Sequence, residues 1–254
     1  MRKKIAAANW KMNCTYQQAE KLLEDILNRS SGLKENQQVL FAVPFPYLIM
    51  ANSRIAAEQN FSVAAQNCSH EKSGAFTGEV SAEMLHSIGV RYCIVGHSER
   101  RQYFGETDQQ LAQKTDQCLA NNIIPVFCCG ETLEVREKGK QNDIVSQQLQ
   151  KALFHLEATV LEKIIIAYEP VWAIGTGKTA TSEQAQEMHA YLRSVISKKY
   201  GQVTAGKIPI LYGGSVKPSN AQELFSQPDI DGGLVGGASL VSEDFIQIVE
   251  GLEI

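Results

Sequence analysis

The sequence lacks several features that would point to whole classes of protein. Its six cysteines form no Cys-x-x-Cys pair and show no metal-ligand spacing, so we interpret them as buried free thiols of a cytoplasmic protein and expect no metal site. No stretch resembles a transmembrane segment. A net charge of −4 argues against general binding to nucleic acid or to an anionic membrane, although it is compatible with a local basic pocket.

The chain also has few signs of targeting or linker segments. Residues 1–8 briefly imitate a signal peptide, but Asn9 and Lys11 interrupt the apolar stretch and favour a strand. There is no Pro/Gly/Ser-rich linker, no shift in composition, and no repeat or low-complexity segment. With 254 residues and 44% hydrophobic content, we expect one large α/β domain that spans residues 1–254.

What the sequence does contain is a regular alternation of strand-like and helix-like segments. Short apolar runs predict eight strands, at 4–9, 38–43, 61–66, 91–95, 123–128, 163–168, 207–212 and 230–235. Amphipathic segments predict helices at 16–29, 46–57, 80–88, 107–121, 131–155 (broken near Gly139), 181–200, 218–226 and 242–251. Three helices begin with capping-box pairs: Thr15 with Gln18, Thr107 with Gln110, and Thr181 with Gln184. Eight such units favour a closed (β/α)8 barrel, in which helices surround eight parallel strands, although an open doubly wound sheet would show the same alternation.

In a (β/α)8 barrel, the residues that follow the strands converge at one face. The first predicted strand ends at Asn9 and Lys11, the fourth is followed by His97, and the sixth by Glu169. Glycine-rich turns follow the last two strands. Backbone N–H groups in such turns, together with a helix amino end, bind phosphate dianions. The predicted face therefore combines a cation, an imidazole, a carboxylate and a phosphate site, which favours an enzyme over a purely structural barrel.

Each of these features also has a simpler interpretation on its own. Lys11 could be a solvated charge at the rim, His97 a hydrogen-bonded core histidine, and Glu169 a surface carboxylate in an ordinary connection. The glycine-rich turns could be tight connections only. A short helical turn after His97 would point its amino end at the imidazole, which disfavours a positive charge there, so we expect His97 to stay neutral. We expect Glu99 and Arg100 to brace His97 and Lys11.

The same segments carry a resemblance to a known family. The chain resembles triosephosphate isomerases over essentially its whole length, in segments 9–13, 74–79, 96–101, 168–180, 212–216 and 231–238. This family is itself the standard example of a glutamate base, a neutral histidine and a closing loop. The resemblance implies interconversion of dihydroxyacetone phosphate and D-glyceraldehyde 3-phosphate through an enediolate, a step of glycolysis and gluconeogenesis that needs no cofactor.

The resemblance also implies roles for particular residues. Lys11, His97 and Glu169 would be catalytic, with Glu169 as the general base and neutral His97 as the electrophile. Substrate would be bound by Asn9, Lys11, Gly175, Ser215, Gly236 and Gly237. The run 168–180 would form a lid, and the loop from Gly74 to Glu79 would join two copies of the chain into a homodimer.

Two rival functions remain open at this point. A Schiff-base aldolase, or another phosphate-binding barrel enzyme, would need a lysine inside a mid-barrel strand, whereas Lys11 lies at a strand end. A catalytically silent barrel that binds sugar phosphates would keep the glycine-rich turns but would lose His97 or Glu169, and both residues are present.

Overall fold

The barrel of this protein is closed by hydrogen-bonded pairing between its first and last strands. A computed structural model describes residues 2–29, 32–173 and 180–253. Its parallel strands pair in sequence order, and β1 also pairs with β8. The strands are β1 (Lys4–Asn9), β2 (Gln37–Val43), β3 (Phe61–Ala65), β4 (Tyr92–Val95), β5 (Ile124–Glu131), β6 (Ile165–Pro170), β7 (Ile210–Tyr212) and β8 (Gly232–Val235). The predicted (β/α)8 barrel is therefore confirmed, and the open doubly wound sheet is excluded.

The helices surround this barrel. They are α1 (Tyr16–Leu27), α2 (Leu48–Ile55), α3 (Ala82–Ser87), α4 (Ser98–Phe104), α5 (Asp108–Ala120), α6 (Leu133–Glu137), α7 (Gln141–Leu153), α8 (Ala158–Leu161), α9 (Ser182–Tyr200), α10 (Gln202–Ala205), α11 (Pro218–Phe225) and α12 (Ser242–Glu250). Short 3₁₀ helices cover Phe45–Tyr47, Val171–Ala173 and Gly237–Leu240. No helix among the described residues is both long enough and apolar enough to cross a membrane.

Local signals placed most helix ends well. The capping boxes at Thr15, Thr107 and Thr181 are all present, and the predicted long helix at 131–155 is divided into α6 and α7 around Gly139, whose φ is +65°. The sequence did not predict α8 and α10, which are single turns of four residues. Strands β5 and β6 end two to three residues later than predicted, because Gly130 and Glu131 still pair with Glu169 and Pro170.

The strands are buried on both faces, which explains their nearly continuous apolar runs. Alternate residues point to opposite sides. In β1, Ile5 and Ala7 face the barrel interior, whereas Ala6 and Ala8 pack under the helices. Two glycines permit the close approach of neighbouring strands: an added Cβ would lie 1.8 Å from the Glu169 carbonyl oxygen at Gly130 and 2.0 Å from the Ile5 carbonyl oxygen at Gly232. The result is a rigid scaffold that fixes the strand ends.

Candidate active site

A cleft of about 880 Å³ opens at the carboxyl ends of the strands. The structure brings most of the residues predicted for substrate binding and catalysis to this cleft, which is lined by Asn9, Lys11, His97, Ser215, Gly236 and Gly237, among others. Glu169 lies behind this lining, against His97 and Ser98. Gly175, predicted to bind substrate, lies outside the described residues, as does most of the predicted lid.

Glu169 is a buried carboxylate whose side chain faces β4 and α4. It is 1% exposed, and its Oε2 accepts the backbone N–H of Ser98 at 2.9 Å. Its Oε1 accepts the Ser98 hydroxyl at 2.9 Å and lies 3.2 Å from His97 Nε2. These donors compensate for the loss of water around a buried carboxylate. Ser98 was not singled out from the sequence; its place as the first residue of a helix, where N–H groups lack partners within the helix, is the signal that could have identified it.

His97 caps the amino end of α4, as the predicted helical turn required. Its Nδ1 accepts the backbone N–H of Glu99 at 3.3 Å. Nδ1 also lies 3.5 Å from Glu99 Oε2, and in a neutral ring the hydrogen bond from the Glu99 N–H leaves the ring hydrogen on Nε2. The Nε2 atom is the one that faces Glu169. The imidazole is 6% exposed and is thus held in a fixed orientation between a helix end and a carboxylate.

Lys11 reaches the cleft from an uncommon backbone conformation. Its φ of +51° lies in the left-handed region, which costs a non-glycine residue roughly 1–2 kcal/mol. Two hydrogen bonds hold it there: its N–H donates to Asn9 Oδ1 at 3.0 Å, and its carbonyl accepts from Gln66 Nε2 at 2.9 Å. The ammonium pairs with Glu99 Oε1 at 2.6 Å. Strain that the surroundings maintain in this way is a frequent property of functional sites.

Glu99 therefore contacts both Lys11 and His97, but Arg100 behaves differently. Its guanidinium pairs with Glu106 at 2.6 Å and lies over the ring of Phe104. The expectation that Arg100 braces Lys11 and His97 is wrong for its side chain. A residue one position along a helix points about 100° away, so two consecutive helical side chains cannot share one target.

The two glycine-rich turns lie on the side of the cleft formed by β7 and β8. Side chains are excluded at two positions in the first turn, because an added Cβ would lie 2.9 Å from Glu169 Cγ at Gly213 and 2.2 Å from the Tyr212 hydroxyl at Gly214. In the second turn, an added Cβ at Gly236 would lie 3.4 Å from Lys11 Cε. The short helix Gly237–Leu240 starts here, so its first N–H groups are available near the Lys11 ammonium.

A second buried carboxylate, Glu131, joins the ends of β5 and β6. Its Oε1 accepts the Tyr168 hydroxyl at 3.0 Å, Trp172 Nε1 at 2.8 Å and Arg136 Nη1 at 3.1 Å. Burial, together with the Glu131 carboxylate, raises the pKa of Tyr168. Trp172 is close to the start of segment 174–179. The sequence analysis assigned no role to Glu131; the structure shows that it anchors the chain at Trp172, shortly before residue 174.

The cleft contains no cluster of metal-ligating side chains among the described residues. Within the same ranges, the one group of three or more such side chains that could hold an ion is the buried trio Cys68, Cys93 and Cys118, which lies outside the cleft. No pattern in the sequence indicates this trio. All six cysteines are free thiols, and all except Cys14 are buried.

Comparisons with known proteins agree with this geometry. A sequence model of the family described as triosephosphate isomerase matches residues 4–252. A protein named triosephosphate isomerase from Cytophaga hutchinsonii is 51% identical over 250 residues, which cover 98% of this chain and 99% of the relative. Another of that name, from Phocaeicola vulgatus, is 52% identical with the same coverage. A third, from Chloroherpeton thalassium, is 48% identical over 253 residues, and the match covers 100% of both chains. The resemblance found in the sequence motifs is thereby confirmed, and the chain belongs to the triosephosphate isomerase family of aldose–ketose isomerases.

Proposed function

We propose that this protein interconverts dihydroxyacetone phosphate and D-glyceraldehyde 3-phosphate, as a step of glycolysis and gluconeogenesis. The observation that carries the proposal is that Lys11 and His97 line one cleft beside two glycine-rich turns, with Glu169 directly behind His97. The reaction must remove a proton from the carbon next to a carbonyl and return it to the neighbouring carbon. A carboxylate, a hydrogen-bond donor and a fixed positive charge are sufficient for that acid–base chemistry.

Glu169 is the general base in this proposal. Its position at the end of β6 directs it toward the cleft, and general bases contribute about 10²–10⁴-fold to rates. Both carboxylate oxygens are engaged by Ser98, so Glu169 must exchange these bonds for the substrate when it acts. Space for that movement exists beside Gly213, which has no side chain to obstruct Glu169 Cγ.

His97 and Lys11 stabilise the negative charge that develops on the substrate oxygens. Neutral His97 donates from Nε2 to these oxygens and transfers a proton between them; a cationic ring would give up its proton too completely and trap the intermediate. The Lys11 ammonium supplies positive charge toward the phosphate and the enediolate, and Asn9 orients the oxygens. Donors that are already in place when charge develops lower the activation free energy of the reaction, because they need no reorganisation.

The phosphate group binds at the glycine-rich turns. Backbone N–H groups of Gly236 and Gly237 and the hydroxyl of Ser215 are the proposed donors in the described part of the chain, and Gly175 is the proposed donor from the lid. Closure of the lid excludes water and keeps the enediolate phosphate from expelling its phosphate group. The site as proposed requires no organic cofactor or metal.

Two structural observations disfavour the rivals. Among the described strands the one lysine is Lys4, at the amino end of β1, and its ammonium donates to the carbonyls of Phe225 and Ile230, so an aldolase-type Schiff base has no mid-barrel lysine to form on. A silent sugar-phosphate barrel would not need a buried carboxylate in contact with an imidazole at 3.2 Å. Borohydride trapping in the presence of substrate should therefore give no covalent adduct.

The proposal is tested by a coupled assay of glyceraldehyde 3-phosphate conversion, run without added metal and again with a chelator. Activity should be the same in both. Glu169→Gln keeps the shape of the side chain but removes the base, so kcat should fall by about 10²-fold or more while inorganic phosphate still binds. The matched control is Glu162→Gln, because Glu162 precedes the other end of β6 and pairs with Lys207. Wild-type turnover in Glu169→Gln would refute the assignment.

We also propose that the whole chain, residues 1–254, acts as one domain in the cytoplasm and assembles into a homodimer through the loop from Gly74 to Glu79. Residues 72–79 are all exposed, yet the loop is ordered by its own hydrogen bonds: Phe76 N–H donates to the Gly74 carbonyl and Glu79 N–H to the Phe76 carbonyl, both at 3.0 Å. Phe76, in the middle of this loop, is 46% exposed. An ordered loop that exposes an aromatic side chain is well suited to insert into a second subunit.

A further inference from the structure

Three thiols that are far apart in the sequence meet in the interior of this protein. Cys68 follows β3, Cys93 lies in β4, and Cys118 lies near the end of α5. All three are 0% exposed. Their sulfur atoms lie within 4.8 Å of one another, and the sulfurs of Cys68 and Cys118 are 3.5 Å apart. No short sequence motif reveals the group, because 25 positions separate each cysteine from the next.

The charged groups next to this thiol trio are already paired. Lys114, one helical turn before Cys118, donates to Asn67 Oδ1 at 2.7 Å and to Glu106 Oε1 at 2.5 Å. Arg100 donates to the same carboxylate oxygen of Glu106 at 2.6 Å. The surroundings thus hold two cations and one carboxylate in a connected chain of hydrogen bonds. A ligand that adds no charge to the trio leaves this chain undisturbed.

The number of donors narrows the choice of ligand. Structural zinc is almost always held by four protein ligands, and iron–sulfur clusters also require four. Among the described residues, no His, Asp or Glu and no further Cys completes the trio. Three bonds of about 2.3 Å from one central atom hold the sulfurs about 4.0 Å apart when the centre is planar, and closer together when it is pyramidal. The sulfurs of Cys68 and Cys118 are 3.5 Å apart and all three lie within 4.8 Å of one another, so the trio can close around a thiophilic centre that makes three bonds.

We propose that the thiol trio of Cys68, Cys93 and Cys118 is a binding site for a trivalent thiophilic oxyacid, the class represented by arsenite. Three arsenic–oxygen bonds break and three arsenic–sulfur bonds form. Each thiol proton leaves with a hydroxide as water, and no electrons are transferred. The product carries no charge, so it adds none beside the paired Lys114 and Glu106. A divalent ion would instead require three thiolates and would leave a net negative centre in the interior.

An occupied trio would join the segment after β3, the strand β4 and the helix α5 through one atom. Such a link stabilises the folded state, because the ligand binds three sulfurs that are together only when the chain is folded. The cleft would remain open to substrate, since none of the three cysteines lines it. The readouts that follow therefore do not depend on the proposed isomerase activity.

The test is native mass spectrometry of the fully reduced protein after anaerobic incubation with arsenite. Because the trio is buried, one sample is warmed with arsenite and a second is refolded from denaturant in its presence. We expect one adduct per chain whose mass equals one arsenic atom less three hydrogen atoms, together with a raised Tm. An adduct that retains a hydroxyl on arsenic would mean two sulfurs only and would overturn the three-sulfur site, as would no adduct in either sample.

Matched variants locate the site. Cys118→Ala and Cys129→Ala each remove one buried thiol, but only the first removes a member of the trio. The adduct of one arsenic atom less three hydrogen atoms should disappear in Cys118→Ala and persist in Cys129→Ala, and so should the Tm increase. The opposite pattern, or persistence in both variants, would overturn the proposal. Cadmium chloride serves as the divalent comparison. A cadmium adduct without an arsenite adduct would assign the trio to divalent ions and reject the class proposed here.

Discussion

Gly213 offers a steric test of how closely Glu169 must be placed. An alanine Cβ there would lie 2.9 Å from Glu169 Cγ and 3.1 Å from the Tyr168 carbonyl oxygen, whereas ordinary contacts begin at 3.4 Å. The carbonyl oxygen cannot give way easily, because it accepts the Gly213 N–H at 2.7 Å. The Glu169 side chain must therefore move by about 0.5 Å or more. Since a misplacement of about 1 Å can cost 10²-fold in rate, we expect Gly213→Ala to lower kcat by about 10- to 100-fold. That loss corresponds to about 1.4–2.7 kcal/mol of transition-state stabilisation.

The assay for this variant is steady-state kinetics in both reaction directions, with the Tm measured in parallel. Overpacking costs about 1–3 kcal/mol of stability, so the control must carry a similar clash elsewhere. Gly206→Ala does so, because its Cβ would lie 3.0 Å from the Gln202 carbonyl oxygen in α10, outside the cleft. It should lower the Tm and leave kcat unchanged. A wild-type kcat in Gly213→Ala, or an equal loss of kcat in Gly206→Ala, would refute the steric argument.

Further expectations concern the histidine, the dimer and acid stability. Nitrogen NMR of labelled His97 should show a hydrogen on Nε2 and none on Nδ1 at neutral pH, and two protonated nitrogens would contradict the neutral role. Light scattering should report about two chains per particle, as in the commonest closed symmetry; charged residues in place of Thr77 and Gly78 should give folded monomers of much lower turnover, and a fully active monomer would contradict the dimer proposal. Burial raises the pKa of Glu106, but its basic partners outweigh burial and hold that pKa below its ordinary value. The resulting stabilisation is present above the unfolded-state pKa of about 4.3 and is lost as pH falls through the lower folded-state pKa. Glu106→Gln should thus flatten the fall of the unfolding free energy below pH about 4, and an unchanged slope would show that Glu106 is not responsible.

The fold could be predicted well because its signals are local. A strand that is buried on both faces reads as a short apolar run, and a capping box fixes the start of a helix within four residues, as at Thr107 and Thr181. The predicted bounds are wrong where an adjacent element, and not the local sequence, determines where a strand or helix ends. The end of β5 extends to Glu131 because β6 continues alongside it, and α8 is a single turn, too short to show a helical period.

For the candidate site, the sequence predicts which residues lie at the strand ends but not which side chains contact one another. Knowing that strand ends converge is enough to place Lys11 and His97 in one cleft. It does not reveal that Ser98 binds Glu169 or that Glu131 binds Trp172, because these contacts join side chains about 71 and 41 positions apart. The thiol trio escaped prediction for the same reason. Spacing rules for metal ligands describe ligands on one loop or one helix, and this trio is assembled by two successive strand–helix units.

The geometry at the end of β6 is compatible with the movable base that the proposed function requires of a rigid barrel. Glu169 ends a strand that is paired on both sides, yet its carboxylate is stable where it lies because Ser98 satisfies both oxygens. A hydrogen bond to a charged group contributes roughly 1.5–3 kcal/mol, so moving the carboxylate toward substrate is costly unless binding free energy offsets it. In the proposed function the phosphate supplies that free energy, because its proposed donors lie at the ends of β7 and β8, away from the reacting carbons. Since β6 and β7 are neighbours in the barrel, the proposed base and the turns proposed to bind phosphate lie side by side. Binding at fixed turns can therefore drive the movement of the base without any change in the barrel itself.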